Sequence, residues 1–235
     1  MPDIVDNLTH STDSTTLADR VFYTLQEDIV RGVLLSGKRL SEAELAAQYG
    51  ISRGPLREAL RRLEARRLIS RIPNVGVRVV ALSTKELLEI YAVRELMEGM
   101  AARLAALNLS KKERSDLQEL LTVHEQRVLE EGGRAYFQEE GDLDFHYRIA
   151  QGCGNTVLTQ MLCGELYHRV RHYRYKFSAA SGRPQQALAE HRQILEAIIT
   201  GDAEIAELLM RRHIRQARLT IAEQYHTQED RPDEL

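Results

Sequence analysis

The stretch from Ser52 to Leu68, SRGPLREALRRLEARRL, leaves few folds open. Leu56, Leu60 and Leu63 recur at spacings of three and four, so on a helix they share a face that has to be buried. Arg53, Arg57 and Arg61 recur every four residues and line an adjacent face. Ser52 suits the N-cap, because its hydroxyl can accept from a free backbone N–H of the first turn. Pro55 falls in that turn, where a missing N–H breaks no hydrogen bond. A helix that buries leucines and presents forked guanidinium groups suits the DNA major groove, where arginine grips phosphate or bonds bidentately to guanine. It equally suits a solvated surface, so the flanking sequence has to decide.

Upstream, a helix is expected to start at Thr16, to carry Leu17, Val21, Leu25 and Ile29 on one side, and to stop near Gly32. Residues 33–39 read as a loop. Ser41 and Glu44 then match the capping box Ser/Thr-x-x-Glu. The helix they open buries Leu45, Ala46 and Tyr49, and Gly50 suits its left-handed C-terminus. Only Ile51 and Ser52 separate this helix from the arginine helix, which is the layout of a helix-turn-helix. Downstream, apolar residues flank the turn signal Pro73-Asn74-Val75-Gly76, and Val77 and Val79 alternate with Arg78, as in a small hairpin. The sum is a winged helix-turn-helix with a β-hairpin wing.

The charge distribution agrees. The net charge of −3 does not suit a nucleic-acid binder. Residues 1–80, however, hold 12 basic and 10 acidic side chains, a balance of +2, against 20 and 25, a balance of −5, in the remainder. Residues 53–78 carry eight arginines against Glu58 and Glu64, a local phosphate footprint on a mildly acidic chain. No apolar run is long enough to span a membrane, and the start MPDIVDNLTHSTDSTT lacks the basic and apolar regions of a signal peptide. Cys153 and Cys163 suggest no disulfide framework. A reduced, cytoplasmic protein is expected.

Leu40-Ser-Glu-x-Glu-Leu-Ala46, Gly50-Ile-Ser-Arg-Gly-Pro-Leu-Arg-Glu-Ala-Leu60, Leu63, Leu68 and Pro73-Asn-x-Gly76 together resemble the DNA-binding domain of GntR-family bacterial transcription regulators. The resemblance implies that Ser52, Arg53, Gly54, Pro55 and Arg57 meet the major groove, that Arg61 reaches phosphate, and that Asn74 and Gly76 enter the minor groove. Ala43 stands where many relatives carry a DNA-contacting arginine, which leaves the base preference open.

The expected organisation is a disordered N-terminus (1–14), the winged domain (15–80), a linker (81–83), an all-helical domain (84–226) and a polar tail (227–235). Another capping box, Ser83…Glu86, opens the helical part. Breaks near 109–110, 132–133, 152–155, 178–184 and 201–202 give about six helices, so the fold class is mainly α.

The second domain carries candidate metal ligands. Asp142 and His146 are four apart within an expected helix 134–153, so both point off one face. His191 and His213 lie on two later helices. One carboxylate and three imidazoles converging in a bundle would suit Zn²⁺, Ni²⁺ or another divalent first-row metal. His168 and His172 form a rival pair at the same spacing, and any such pair is commonly surface or core filler.

Asp142…His146, His191 and His213, with Phe145, Gly154-Asn155 and Gly201-Asp202 around them, resemble the metal-ligand pattern of the FCD effector domain in the FadR subfamily of GntR regulators, in its shorter, VanR-like variant. Val93-Arg94-Glu95-Leu96-Met97-Glu98 resembles the same domain. By that likeness Arg94, Glu98 and Asn155 bind a small organic acid effector, as the bidentate fork of Arg94 suits. An ordinary Arg94–Glu98 pair along a helix surface, and helix capping by Asn155, are the plain alternatives.

The function this implies is a metabolite-responsive repressor, not an enzyme. It would bind a palindromic operator in double-stranded DNA as a homodimer, because each winged domain reads one half-site. A metal-dependent hydrolase or a helical metal-binding module would use the Asp/His cluster but would leave the arginine helix and the wing without a role.

Overall fold

The structure, a computed structural model, describes residues 16–73, 76–130, 132, 141–177 and 183–229. The proposed N-terminal segment 1–14, Asn74 and residues 230–235 lie outside the described residues. The chain divides into two compact units at Ala81–Leu82.

The first unit is a three-helix core with a small sheet. Helix α1 (Leu17–Val30) is capped by Thr16, whose hydroxyl accepts from the Asp19 N–H at 3.1 Å while the Asp19 carboxylate accepts from the Thr16 N–H at 2.9 Å. Val21, Leu25 and Ile29 are buried as their spacing predicts, but Leu17 is 37% exposed, because it sits in the first turn, at the edge of the core. Strand β1 (Arg39–Leu40) lies in the segment expected to be loop. In α2 (Glu42–Gln48) the Ser41 hydroxyl accepts from the Glu44 N–H, which is one half of the expected box. Leu45 and Tyr49 are buried and Ala46 is only partly so. Gly50 follows with φ of 62°.

Helix α3 (Arg53–Ala65) is the arginine helix. Leu56, Ala59, Leu60 and Leu63 are fully buried against α1, at roughly 1.5–3 kcal/mol for each leucine removed from water. Ser52 occupies the N-cap with extended backbone, yet its hydroxyl makes no capping hydrogen bond. The reason lies in the sequence: Pro55 fills the third helical position and has no N–H to donate. Strands β2 (Ile69–Ile72) and β3 (Gly76–Val79) form the hairpin in antiparallel register, Ile69 opposite Val79 and Ile72 opposite Gly76. Strand β1 pairs with the free edge of β3, so the expected hairpin is a three-stranded sheet in the order β1-β3-β2. A two-residue strand has too short a pattern to be read from sequence.

The second unit is helical: α4 (Thr84–Asn108), α5 (Lys111–Glu130), a 3-10 turn (Gly141–Leu143), α6 (Phe145–Gly152), α7 (Thr156–Cys163), α8 (Glu165–Phe177), α9 (Arg183–Thr200) and α10 (Ala203–Glu229). That is one helix more than the breaks in the sequence predict. The extra break falls at Gly164, where a Cβ would lie 2.4 Å from the Gln160 carbonyl oxygen, so only glycine fits. Helix α4 opens with the complete Ser83–Glu86 capping box.

The helix expected over 134–153 is also different. Residues 133–140 lie outside the described residues, and α6 begins only at Phe145, capped by the Asp144 carboxylate. Asp142 therefore sits in the preceding 3-10 turn and does not share a helix with His146. Its side chain lies outside the described residues.

Candidate functional site

Two constellations stand out, one in each unit. In the first, Ser52, Arg53, Gly54, Arg57 and Arg61 are exposed together on the side of α3 opposite its buried leucines, with Pro55 partly buried beside them. Arg57 Nε donates to Glu42 Oε2 at 2.9 Å, and Arg61 pairs with Glu58 at 2.7 Å. Gly76, at the start of β3, is exposed with φ of 103°, a conformation glycine adopts without strain. Arg62 and Arg66 do not belong to this face. Both guanidinium groups stack on Phe22, at 4.1 and 4.6 Å from the ring centre, and bond to Asp19 and Gln26 respectively. They tie α3 to α1.

In the second unit, α6, α9 and α10 bring His146, His191 and His213 into one buried cluster. His191 Nε2 lies 3.2 Å from His146 Nε2 and 3.2 Å from His213 Nε2. The outer nitrogens of two rings are held by carboxylates: His146 Nδ1 lies 2.6 Å from Glu98 Oε2, and His213 Nδ1 lies 2.6 Å from Glu190 Oε2. An ionised carboxylate only accepts, so each Nδ1 donates and each neutral ring turns an Nε2 lone pair inward. Lone pairs that converge at 3.2 Å repel one another unless a cation or proton lies among them. Ligands about 2.0–2.1 Å from a tetrahedral zinc stand about 3.3 Å apart, which these spacings match. Phe145 stacks on His191 with ring centres 4.5 Å apart and fixes the ring plane.

The electrostatics favour neutral rings. Burial, then the neighbouring His213 and His146, push His191 well below the ordinary imidazole range. Burial lowers His213 to about 4, although Glu190 opposes the shift. Neutral imidazole is the form that ligates metal. Burial alone would raise the Glu98 carboxyl, but the Arg94 charge and the hydrogen bond from His146 hold it well below the usual carboxylate range.

Beside the histidines lies a small cavity of about 20 Å³, partly open to solvent and lined by Arg94, Glu98, His146, Tyr147, Tyr167 and Arg174, with apolar residues around them. Arg94 is 4% exposed. Its Nη2 and Nε bond to Glu98 at 2.6 and 2.7 Å, it stacks on Tyr91 at 4.5 Å, and its buried Nη1 has no hydrogen-bond partner among the described residues. The i,i+4 pair is thus present but buried, not a surface pair. Glu98, expected to meet an effector, lines the cavity and bonds both Arg94 and His146. Asn155, for which effector contact and helix capping were both expected readings, is the N-cap of α7: its side chain accepts from the Leu158 N–H at 3.1 Å. His168 and His172 do not join the histidine cluster.

Sequence reasoning missed Glu190, Asp144 and Arg174. Asp144 is 1% exposed and pairs with Arg174 at 2.5 Å, a buried bridge between the start of α6 and α8. Glu190 had one signal, its place beside His191. Only the fold turns it toward His213.

A winged helix-turn-helix with an exposed arginine face, joined to a helical unit with a buried histidine centre and a cationic cavity, defines a two-domain DNA-binding regulator. The chain belongs to the GntR family: residues 17–79 match "Bacterial regulatory proteins, gntR family" and residues 89–216 match the FCD domain. It is similar to the probable D-xylose utilization operon transcriptional repressor of Paenarthrobacter nicotinovorans, 33% identical over 85% of this chain and 86% of that protein. It is also similar to the HTH-type transcriptional repressor GlaR of Escherichia coli K12, 31% identical over 81% of this chain and 89% of that protein. Among solved structures, E. coli McbR/YncC superposes with a TM-score of 0.69 at 27% identity, over 90% of this chain and 99% of the other. The protein is a transcription regulator and not an enzyme. No described helix is long and apolar enough to cross a membrane.

Proposed function

We propose that the protein is a metabolite-responsive repressor that binds a palindromic operator as a homodimer, and that a small organic acid held at a divalent metal in the helical unit releases it from DNA. His146, His191 and His213 would hold the ion, Zn²⁺ or Ni²⁺ by donor type, with Asp142 a further candidate ligand. The bound ion would supply a Lewis-acid centre for a carboxylate oxygen. The observation that carries the reading is the buried Nη1 of Arg94, without a partner among the described residues, in the same cavity as the His146 ring: a buried donor without an acceptor costs stability unless a ligand satisfies it. Both of the similar proteins named above bear the name repressor, which supports the sign of the response.

The dimer is supported by the outer face of α4. Val93, Leu96, Met100 and Leu107 are 51%, 59%, 48% and 60% exposed and follow a heptad spacing. A second copy laid antiparallel about a two-fold axis at Leu96 would set Glu89 opposite Arg103 of that copy, twice over.

The test is a DNA-binding titration of purified protein on an operator obtained by selection from random duplexes, with a panel of small carboxylates, before and after chelation. A carboxylate that weakens DNA binding only in the metal-loaded protein bears the proposal out. Carboxylates that change nothing in either state overturn it.

A further inference from the structure

We propose that Glu42 sets the sequence specificity of the recognition helix by holding Arg57 in a base-reading posture; this rests on the reading that α3 enters the major groove. The first helical residue of α2, Glu42, is an acid set against the arginine face of α3. Its carboxylate bridges two arginines: Oε2 accepts from Arg57 Nε at 2.9 Å, and Oε1 accepts from Arg71 Nη1 at 3.4 Å. Arg71 in turn pairs through Nε with Glu64 at 3.2 Å. The chain Arg57–Glu42–Arg71–Glu64 therefore joins α2, α3 and the wing strand β2. Glu42 is the less exposed member of its pair, 23% against 57% for Arg57, so the carboxylate is the fixed end and the arginine the presented one.

The geometry leaves Arg57 a particular chemistry. A guanidinium has five N–H donors in a rigid fork. Glu42 takes the one on Nε, on the side of the fork nearest the helix. Among the described residues the two terminal nitrogens have no partner, which leaves a parallel pair of donors, the arrangement that bonds bidentately to O6 and N7 of guanine. The carboxylate also cancels much of the charge that would attract a phosphate from any direction. A held, charge-compensated fork thus discriminates by direction and not by charge. Ala43, the exposed next residue, brings no cation to offset the acid.

Removing the charge should therefore strengthen indiscriminate binding while weakening selection. The experiment uses the full chain as wild type, Glu42→Gln and Arg57→Ala. Each is taken through selection from random duplexes and then titrated, over a salt series, on the wild-type operator and on an unrelated duplex. Glu42→Gln should bind the unrelated duplex more tightly. Its log–log salt slope should steepen by about 0.9, one added phosphate contact. The ratio of operator to unrelated affinity should fall by about tenfold, within the discrimination of one bidentate pair. Its selected motif should relax at the same base pair that Arg57→Ala relaxes. A merely structural role for Glu42 would lower thermal stability and weaken both duplexes together, leaving the motif intact, and that result overturns the proposal. So does an unchanged ratio. If Arg57→Ala leaves the motif unchanged, the base-reading role of Arg57 fails and the proposal with it. If Arg57→Ala relaxes the motif and Glu42→Gln does not, only the proposal for Glu42 fails.

Discussion

His213 Nδ1 lies 2.6 Å from a carboxylate oxygen of Glu190, and this turns the opposite nitrogen of the ring toward His191, 3.2 Å away. Glu190 is itself held by Arg183 at 2.8 Å. A carboxylate behind a ligating imidazole fixes its tautomer and raises its basicity. Glu190→Gln should therefore keep the fold and lower metal affinity by about 10–100-fold. Competition against a coloured chelator measures this, and unchanged affinity would exclude Glu190 from the centre.

The buried histidines make stability depend on pH in a defined direction. Burial lowers His213 to about 4, and His191 also lies well below its ordinary value. In the unfolded chain both take up protons near pH 6.5, while the folded rings stay neutral. Stability is therefore complete above about pH 6.5 and is lost as the pH falls toward 4; His213 alone accounts for on the order of 3 kcal/mol. Chelator-treated protein should show its melting temperature falling across this window. His213→Asn should flatten the fall. An equally steep profile in that variant would show that other groups carry the dependence.

Arg94 has two roles to lose. Its alanine variant strands the buried Glu98 carboxylate beside one remaining neighbour, His146, and removing one member of a buried pair costs roughly 3–5 kcal/mol. Arg94→Ala should thus lower denaturant stability as well as blunt the response to carboxylates. Arg94→Lys keeps the charge but not the fork, and should recover more stability than response. Wild-type stability in Arg94→Ala would show that the pair does not anchor α4.

On the outer face of α4, Leu96→Asp places a charge at the centre of the apolar stripe, where the side chain is 59% exposed in the single chain. The variant should keep its helical circular dichroism and run as a monomer by light scattering at micromolar concentration. A dimer of unchanged mass would move the interface elsewhere.

Local pattern carried much of the fold. The leucine spacing of α3, the capping residues Thr16, Ser41 and Ser83, and Gly50 each act within a few residues, and each lies where the spacing predicts. Where two local signals overlap, the weaker yields: Ser52 sits at the cap, but Pro55 removes the N–H its hydroxyl needed. Gly164 is a single glycine in a helical pattern, and the backbone conformation in which the helix ends there leaves no room for a Cβ beside the Gln160 carbonyl oxygen. Strand β1 gains its form from the edge of β3, far along the chain.

By itself, then, the sequence determined a winged helix-turn-helix with arginines on one face of its second helix, and a helical domain with histidines on separate helices, because helical period and caps are local physics. Tertiary structure decided which charges meet. It set Glu42 against Arg57, Glu98 between Arg94 and His146, and Glu190 behind His213; the Glu42–Arg57, Glu98–His146 and Glu190–His213 pairs are 15, 48 and 23 residues apart in sequence. It also made Asn155 the N-cap of α7, one of the two roles its place after Gly154 left open. No periodicity encodes such contacts, since they depend on how whole elements pack, and it is in those contacts that the recognition helix and the histidine centre acquire their chemistry.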